Sequence, residues 1–195
     1  MDLQTLFSAL ADVFDGPEAI EKHARIALLS AISRSKDDCR AIALSKPFLD
    51  VMAEVDAHPV CKIIAQTPLP WVPPQTSKDA QYAKHSLPKV HVELVGPEGL
   101  VKSRSVRLGL YGILPNSEYG IRTHPAEEVF VMLAGQAYWK RGSAPYVIHG
   151  PGERSYHPLM MMHATRTGVK AFLSAYVWHG DISTENYVYE GIPAS

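Results

Sequence analysis

Apolar positions in the first third of the chain recur at steps of three and four. Leu3, Leu6, Phe7, Leu10, Val13 and Phe14 form one stripe, which predicts an amphipathic helix. Asp15-Gly16-Pro17 ends it, because proline cannot continue a helix and glycine tolerates the reversal. Ile20, Ala24, Leu28 and Ile32 predict a second helix. A third, shorter one is expected from Pro47, whose fixed φ suits a first turn, with Leu49, Met52 and Val55 facing in. Pro68, Pro70, Pro73 and Pro74 then crowd into one short stretch, which predicts an extended, irregular boundary.

From about residue 86 the period changes to two. Val90, Val92 and Leu94 alternate with His91 and Glu93, and Val106, Leu108 and Leu110 with Arg107, Gly109 and Tyr111. Gly96-Pro97-Glu98-Gly99, Pro115-Asn116, Gly135, Gly142 and Gly150-Pro151-Gly152 supply turns. An all-β barrel or sandwich of roughly eight to ten strands fits this spacing. The expected organisation is a helical segment with a proline-rich linker over residues 1–75 and a β-barrel over 76–195.

Composition narrows the function classes. With 195 residues, 46% of them hydrophobic and 20% charged, the chain reads as soluble and globular. A net charge of -1 argues against nucleic acid as a partner. Met1-Asp2-Leu3 lacks the positive start of a signal peptide, and no apolar run approaches the ~18 residues of a membrane span, so a cytoplasmic protein without a membrane partner is expected. Cys39 and Cys61 lie outside any C-x-x-C spacing and read as reduced, structural thiols.

Candidate chemistry concentrates in Arg122-Thr123-His124-Pro125-Ala126-Glu127-Glu128 and the apolar run to Gly135. In an extended chain, even-numbered residues share a face. Arg122, His124, Glu128, Phe130 and Met132 would line one side, and Glu127 would point the other way. An inward imidazole beside an inward carboxylate calls for a cation or a tight hydrogen-bond network. His163, opening a strand about thirty-five residues beyond Glu128, can return to the same barrel mouth. His124, Glu128 and His163 would supply nitrogen, oxygen and nitrogen ligands with positions open for substrate. Met160, Met161 and Met162 read as loop packing, His157 as a structural residue or one supporting a ligand, and His179 as a polar strand end. His23, His58, His85, His91 and His149 show no partner pattern.

These residues resemble a known family. Gly120 to Gly135 looks like a first cupin motif, with six residues between Glu128 and its closing glycine, and Gly150 to His163 looks like the second. With the turn Glu93 to Gly99 and the closing Val177-Trp178, the match over about residues 90–180 is to the cupin-type dimethylsulfoniopropionate (DMSP) lyases, particularly the bacterial Q type. The resemblance implies a mainly β cupin fold, a double-stranded β-helix or jelly-roll barrel, with an N-terminal helical extension. It implies one divalent transition metal (Fe, Mn, Zn, Co or Ni) and cleavage of DMSP to dimethyl sulfide and acrylate. His124, Glu128 and His163 fall on the family's metal ligands, and Tyr119 on an active-site tyrosine. Arg122 stands where the family has a further histidine, and Phe130 where it has its proposed catalytic tyrosine.

The missing base leaves Tyr119, if the strand bends near Gly120, and Tyr138, past the Gly135 turn, as catalytic candidates. Phe130 and Trp178 are candidates to hold the sulfonium by cation–π attraction. Arg122 reads either as a clamp on a substrate carboxylate or as a partner that replaces the metal's charge at Glu128. Two other readings stay open: a different metal-dependent cupin enzyme, such as an oxygenase or isomerase, motivated by Phe130, and a non-catalytic ligand-binding cupin, motivated by Arg122. The partner is a small carboxylate or sulfonium compound, with assembly as a homodimer left open.

Overall fold

A computed structural model describes residues 1–35 and 39–192. Helices α1 (Leu3–Val13), α2 (Ala19–Ala31), α3 (Lys46–Met52), α4 (Val60–Gln66) and α5 (Ala80–Ser86) precede the strands. The Asp2 carboxylate caps α1 by accepting from the Thr5 amide at 2.7 Å. The first predicted stripe buries in full, and of the second Ile20, Ala24 and Leu28 are buried while Ile32, just past the end of α2, is half-buried. On α3, however, Phe48, Val51 and Met52 face in, while Leu49 and Val55 are exposed. The helix closes at Met52, so Val55 lies beyond its last turn.

Eleven strands among the described residues form two sheets: β1 (Lys89–Gly96), β2 (Val101–Lys102), β3 (Val106–Ile113), β4 (Glu118–Thr123), β5 (Ala126–Gly135), β6 (Ala137–Arg141), β7 (Val147–His149), β8 (Arg154–His157), β9 (His163–Arg166), β10 (Phe172–Gly180) and β11 (Val188–Gly191). One sheet runs β2-β1-β3-β10-β5-β8 and the other β11-β4-β9-β6-β7. The pairing is antiparallel except for β1 with β2. The mainly β architecture of two sheets with N-terminal helices is the one expected.

The first sheet is buried on both faces, which explains the nearly continuous apolar run of β5. Val129, Val131 and Leu133 face the helices and join one core with Leu6, Phe7, Leu10 and Leu28. Phe130 and Met132 face the barrel interior with Tyr111, Trp139, Phe172 and Tyr176. Arg154 on β8 fastens the helical layer by reaching Glu21 of α2 at 3.1 Å and Asp15 at 2.5 Å. The proline-rich stretch is no free linker. Val72 and His91 of β1 exchange backbone hydrogen bonds at 2.7 and 3.2 Å, which lays residues 70–76 along the barrel mouth.

The bend near Gly120 is present as a register shift in the β4–β9 pairing between Tyr119 and Arg122, so both side chains turn inward. Gly120 also lets β11 come close, since a Cβ there would meet the Gly191 carbonyl oxygen at 2.2 Å. Gly120→Ala should push β11 off β4 and cost about 1–3 kcal/mol. Equilibrium urea unfolding reads this, and an unchanged midpoint would contradict it.

Candidate metal centre and its cavity

Inside the barrel, three ligand-type side chains from separate segments meet. His124 comes from the β4–β5 connection, Glu128 from β5 and His163 from the start of β9. One donor atom from each lies within 4.8 Å of the others, and all three residues are buried. Backbone carbonyls fix both imidazoles: His124 Nδ1–H donates to Ala126 O at 3.0 Å, and His163 Nδ1–H to Met161 O at 2.7 Å. That tautomer leaves each Nε2 with a lone pair aimed at Glu128 Oε2, at 3.5 and 3.1 Å. Neither Nε2 makes a hydrogen bond, so both are buried polar atoms without a partner. Orphaned nitrogens of this kind are costly unless they ligate something. The donor set therefore fits a metal ion.

Glu128 is oriented from two further sides. The Trp178 indole N–H of β10, its register partner, donates to Oε1 at 2.5 Å. His157 donates from Nδ1 to Oε2 at 3.1 Å, and its Nε2 accepts from the Ser155 hydroxyl at 2.9 Å. Burial raises the Glu128 pKa, but the three histidines gathered around it, His124, His157 and His163, outweigh burial and hold the carboxyl well below its usual range. His157 thus spends its proton on Glu128. Trp178 also stacks on His124 at 4.1 Å, so it positions two of the three ligand-type residues.

Arg122 is buried beside this cluster, with its guanidinium 3.8 Å above the Tyr119 ring. Its hydrogen bonds, to Tyr119 O, Gly120 O and Thr165 Oγ1, are all long at 3.5 Å. Among the described residues no carboxylate lies within 4.0 Å of it, and the close partners of Glu128 are histidines. The direct Arg122–Glu128 pair is not formed. Tyr119 supports Arg122 from below and bonds through its hydroxyl to Tyr187 at 2.5 Å and Tyr82 at 3.4 Å.

A cavity of about 620 Å³ leads from this cluster to the surface. Arg122, Glu128, Phe130 and Trp178 line it with the aromatic rings of Tyr111, Tyr119 and Tyr176, and His91, Glu93, Arg107 and the 70–76 segment lie along it as well. Tyr138 is not among these residues. The chain passes from one sheet to the other at Gly135, whose φ is 69°, and inward positions change from even to odd. Trp139 points in and is 1% exposed. Tyr138 lies instead beside Arg166, 5.6 Å from its ring centre. Glu127 points away from the cavity, as its odd number predicts, and holds His179 Nδ1 at 2.9 Å.

His91, silent in the sequence, bonds through Nε2 to the Tyr176 hydroxyl at 2.7 Å. No local signal exists for a pair 85 residues apart. Burial, then the Arg107 charge, push the His91 pKa down to about 4. An unfolded chain takes up this proton near pH 6.5, so the stability that neutral His91 supplies is full above that pH and is lost as pH falls toward 4. His91→Gln should reduce the loss between pH 7 and pH 4.5 by ~2 kcal/mol, after discounting for partial exposure. Urea unfolding at the two pH values checks this, and parallel losses in parent and variant would refute it.

A family model for dimethylsulfoniopropionate lyases matches residues 66–174. The dimethylsulfoniopropionate lyase DddQ of Ruegeria pomeroyi is 34% identical over 91 residues, which are 47% of this chain and 45% of that protein. The aligned region thus spans under half of this curated relative. Two solved structures share the fold at 22% identity. One, from work on the DMSP lyases RdDddP and RnDddQII, superposes with a TM-score of 0.68 over 96% of this chain and 97% of its own. The other, DMSP lyase DddQ from Ruegeria pomeroyi DSS-3, gives 0.65 over 99% and 98%. Matched over more than half its length by the family model, the chain belongs to the dimethylsulfoniopropionate lyase family.

Proposed function

We propose that the chain is a metal-dependent lyase that cleaves DMSP to dimethyl sulfide and acrylate by β-elimination. The carrying observation is the pair of buried, unpartnered imidazole nitrogens facing an ionised Glu128 at the inner end of an aromatic cavity. His124, Glu128 and His163 would hold one divalent transition ion, with iron, manganese, zinc, cobalt and nickel all suited to these donors. When bound, such an ion stabilises the negative charge that builds on the substrate carboxylate as the neighbouring carbon loses its proton.

The protein's own residues supply the remainder. Among the described residues the Arg122 guanidinium has no carboxylate within 4.0 Å, which suits it to take the other carboxylate oxygen. Tyr119 holds that guanidinium in place. The faces of Phe130, Tyr111, Tyr176 and Trp178 suit a sulfonium, at ~0.5–2 kcal/mol per cation–π contact. They also keep water from the carbon that loses its proton. Dimethyl sulfide in the headspace above metal-replete protein and DMSP tests the reading, and silence there, with DMSP intact, overturns it.

Phe130 favours a second reading. Two imidazoles and one carboxylate with open positions also suit an oxygenase, and a phenyl ring brings no proton acceptor. Oxygen uptake with an unsaturated or keto acid, and none of the sulfide, would identify that chemistry.

A further inference from the structure

The lyase reading leaves a proton without an acceptor. Phe130 has no hydroxyl, Tyr138 lies outside the cavity, and among the described residues the Tyr119 hydroxyl meets only other tyrosine hydroxyls, while the buried Tyr111 hydroxyl has no partner to take its own proton. On β10, the register partner of Phe130 is Tyr176. A phenol therefore stands one strand over from the place where the family carries its tyrosine, facing the same cavity as Glu128 and Arg122. Its hydroxyl is 2.7 Å from His91 Nε2.

His91 is well placed to pass a proton outward. It lines the same cavity, it is only part-buried, and its backbone is fixed on both sides by Val72. Among the described residues its Nδ1 has no hydrogen-bond partner, while the nitrogen is not sealed from solvent. Burial and Arg107 keep the imidazole neutral, hence an acceptor, at ordinary pH. The charged groups around the pair are Glu93 on β1 and Arg107 on β3, bonded to each other at 2.7 Å, and Glu128 on β5. The 70–76 segment facing His91 carries no charge.

We propose that Tyr176 and His91 form the proton-accepting pair of this enzyme, replacing the hydroxyl absent at Phe130. The assignment rests on the lyase reading. The C–H bond next to the carboxylate breaks, its electron pair forms the C=C bond of acrylate, and the C–S pair leaves with sulfur as neutral dimethyl sulfide. The proton goes to Tyr176 Oη as the phenol's own proton moves to His91 Nε2. The imidazolium then gives a proton to water at the mouth, which matches the one proton that the overall reaction releases. Tyr176 would be a catalytic residue, and His91 a positioning residue acting through it.

The test uses the metal-replete full chain and headspace dimethyl sulfide. Tyr176→Phe should lower kcat by ~10²-fold or more, the usual contribution of a general base, with KM within about threefold and metal content unchanged. His91→Ala should lower kcat as well, and added imidazole should restore part of it, which a merely structural role would not allow. Should Tyr176→Phe fail to fold, the imidazole rescue of His91→Ala decides alone. A parent that makes the sulfide while Tyr176→Phe keeps kcat within about threefold overturns this pair only. Absence of imidazole rescue overturns the part given to His91. A silent parent overturns the lyase reading, and this proposal with it.

Discussion

Glu128→Gln should leave the protein folded and almost free of metal. The side chain keeps its shape and one oxygen, and it can still accept from Trp178 or His157. What it loses is the one negative charge that balances a divalent ion between two neutral imidazoles. Removing a group that merely supports a ligand costs about 10–100-fold in metal affinity, so removing the anionic ligand should cost on the order of 10²-fold or more. Elemental analysis after gel filtration should find stoichiometric metal in the parent and less than about a tenth of that in the variant, with dimethyl sulfide release lost in parallel. Chelator-treated parent and Glu128→Gln should unfold at similar temperatures, which separates loss of the ion from loss of the fold. Full metal occupancy in the variant would mean that His124, Glu128 and His163 are not the ligand set.

That cluster was largely legible from residue parity. Glu128, Phe130 and Met132 share a face because β5 runs straight from Ala126, Glu127 turns away for the same reason, and His124, in the connection before the strand, meets Glu128. The parity argument failed at Tyr138, where the chain changes sheets at Gly135 and the inward set changes with it. It also says nothing of pairs made between strands distant along the chain. Trp178 reads from sequence as a ring for a cation, yet its indole N–H is the nearest donor to Glu128. His91 and Tyr176 lie on β1 and β10, which flank β3 in one sheet, and the β3 residue opposite Tyr176 is Gly109, which has no side chain to separate them. The proline-rich stretch misled in a different way. Prolines predict an extended backbone correctly, but extension alone does not distinguish a free linker from one laid along a cavity mouth.

Arg122 gives the sharpest contrast between stability and function. A buried guanidinium with three long hydrogen bonds and, among the described residues, no carboxylate within 4.0 Å is a cost to the folded state, offset in part by the Tyr119 ring at 3.8 Å. Replacing buried charges by apolar groups of similar size often stabilises by 1–4 kcal/mol, and the lost cation–π contact returns ~0.5–2 of that. Arg122→Met should therefore raise the melting temperature of the metal-loaded protein by about 2–6 °C, at 2–4 °C per kcal/mol for a chain of this size. The same change should raise KM for DMSP by ~10–100-fold, the worth of a charge-assisted hydrogen bond to a carboxylate. Saturating metal is needed in both measurements, because removing a neighbouring positive charge also tightens metal binding. Arg122→Lys keeps the charge without the planar fork and should fall between the two. A variant that melts lower and binds DMSP as well as the parent would make Arg122 a structural residue, and the cavity would then lack its carboxylate anchor.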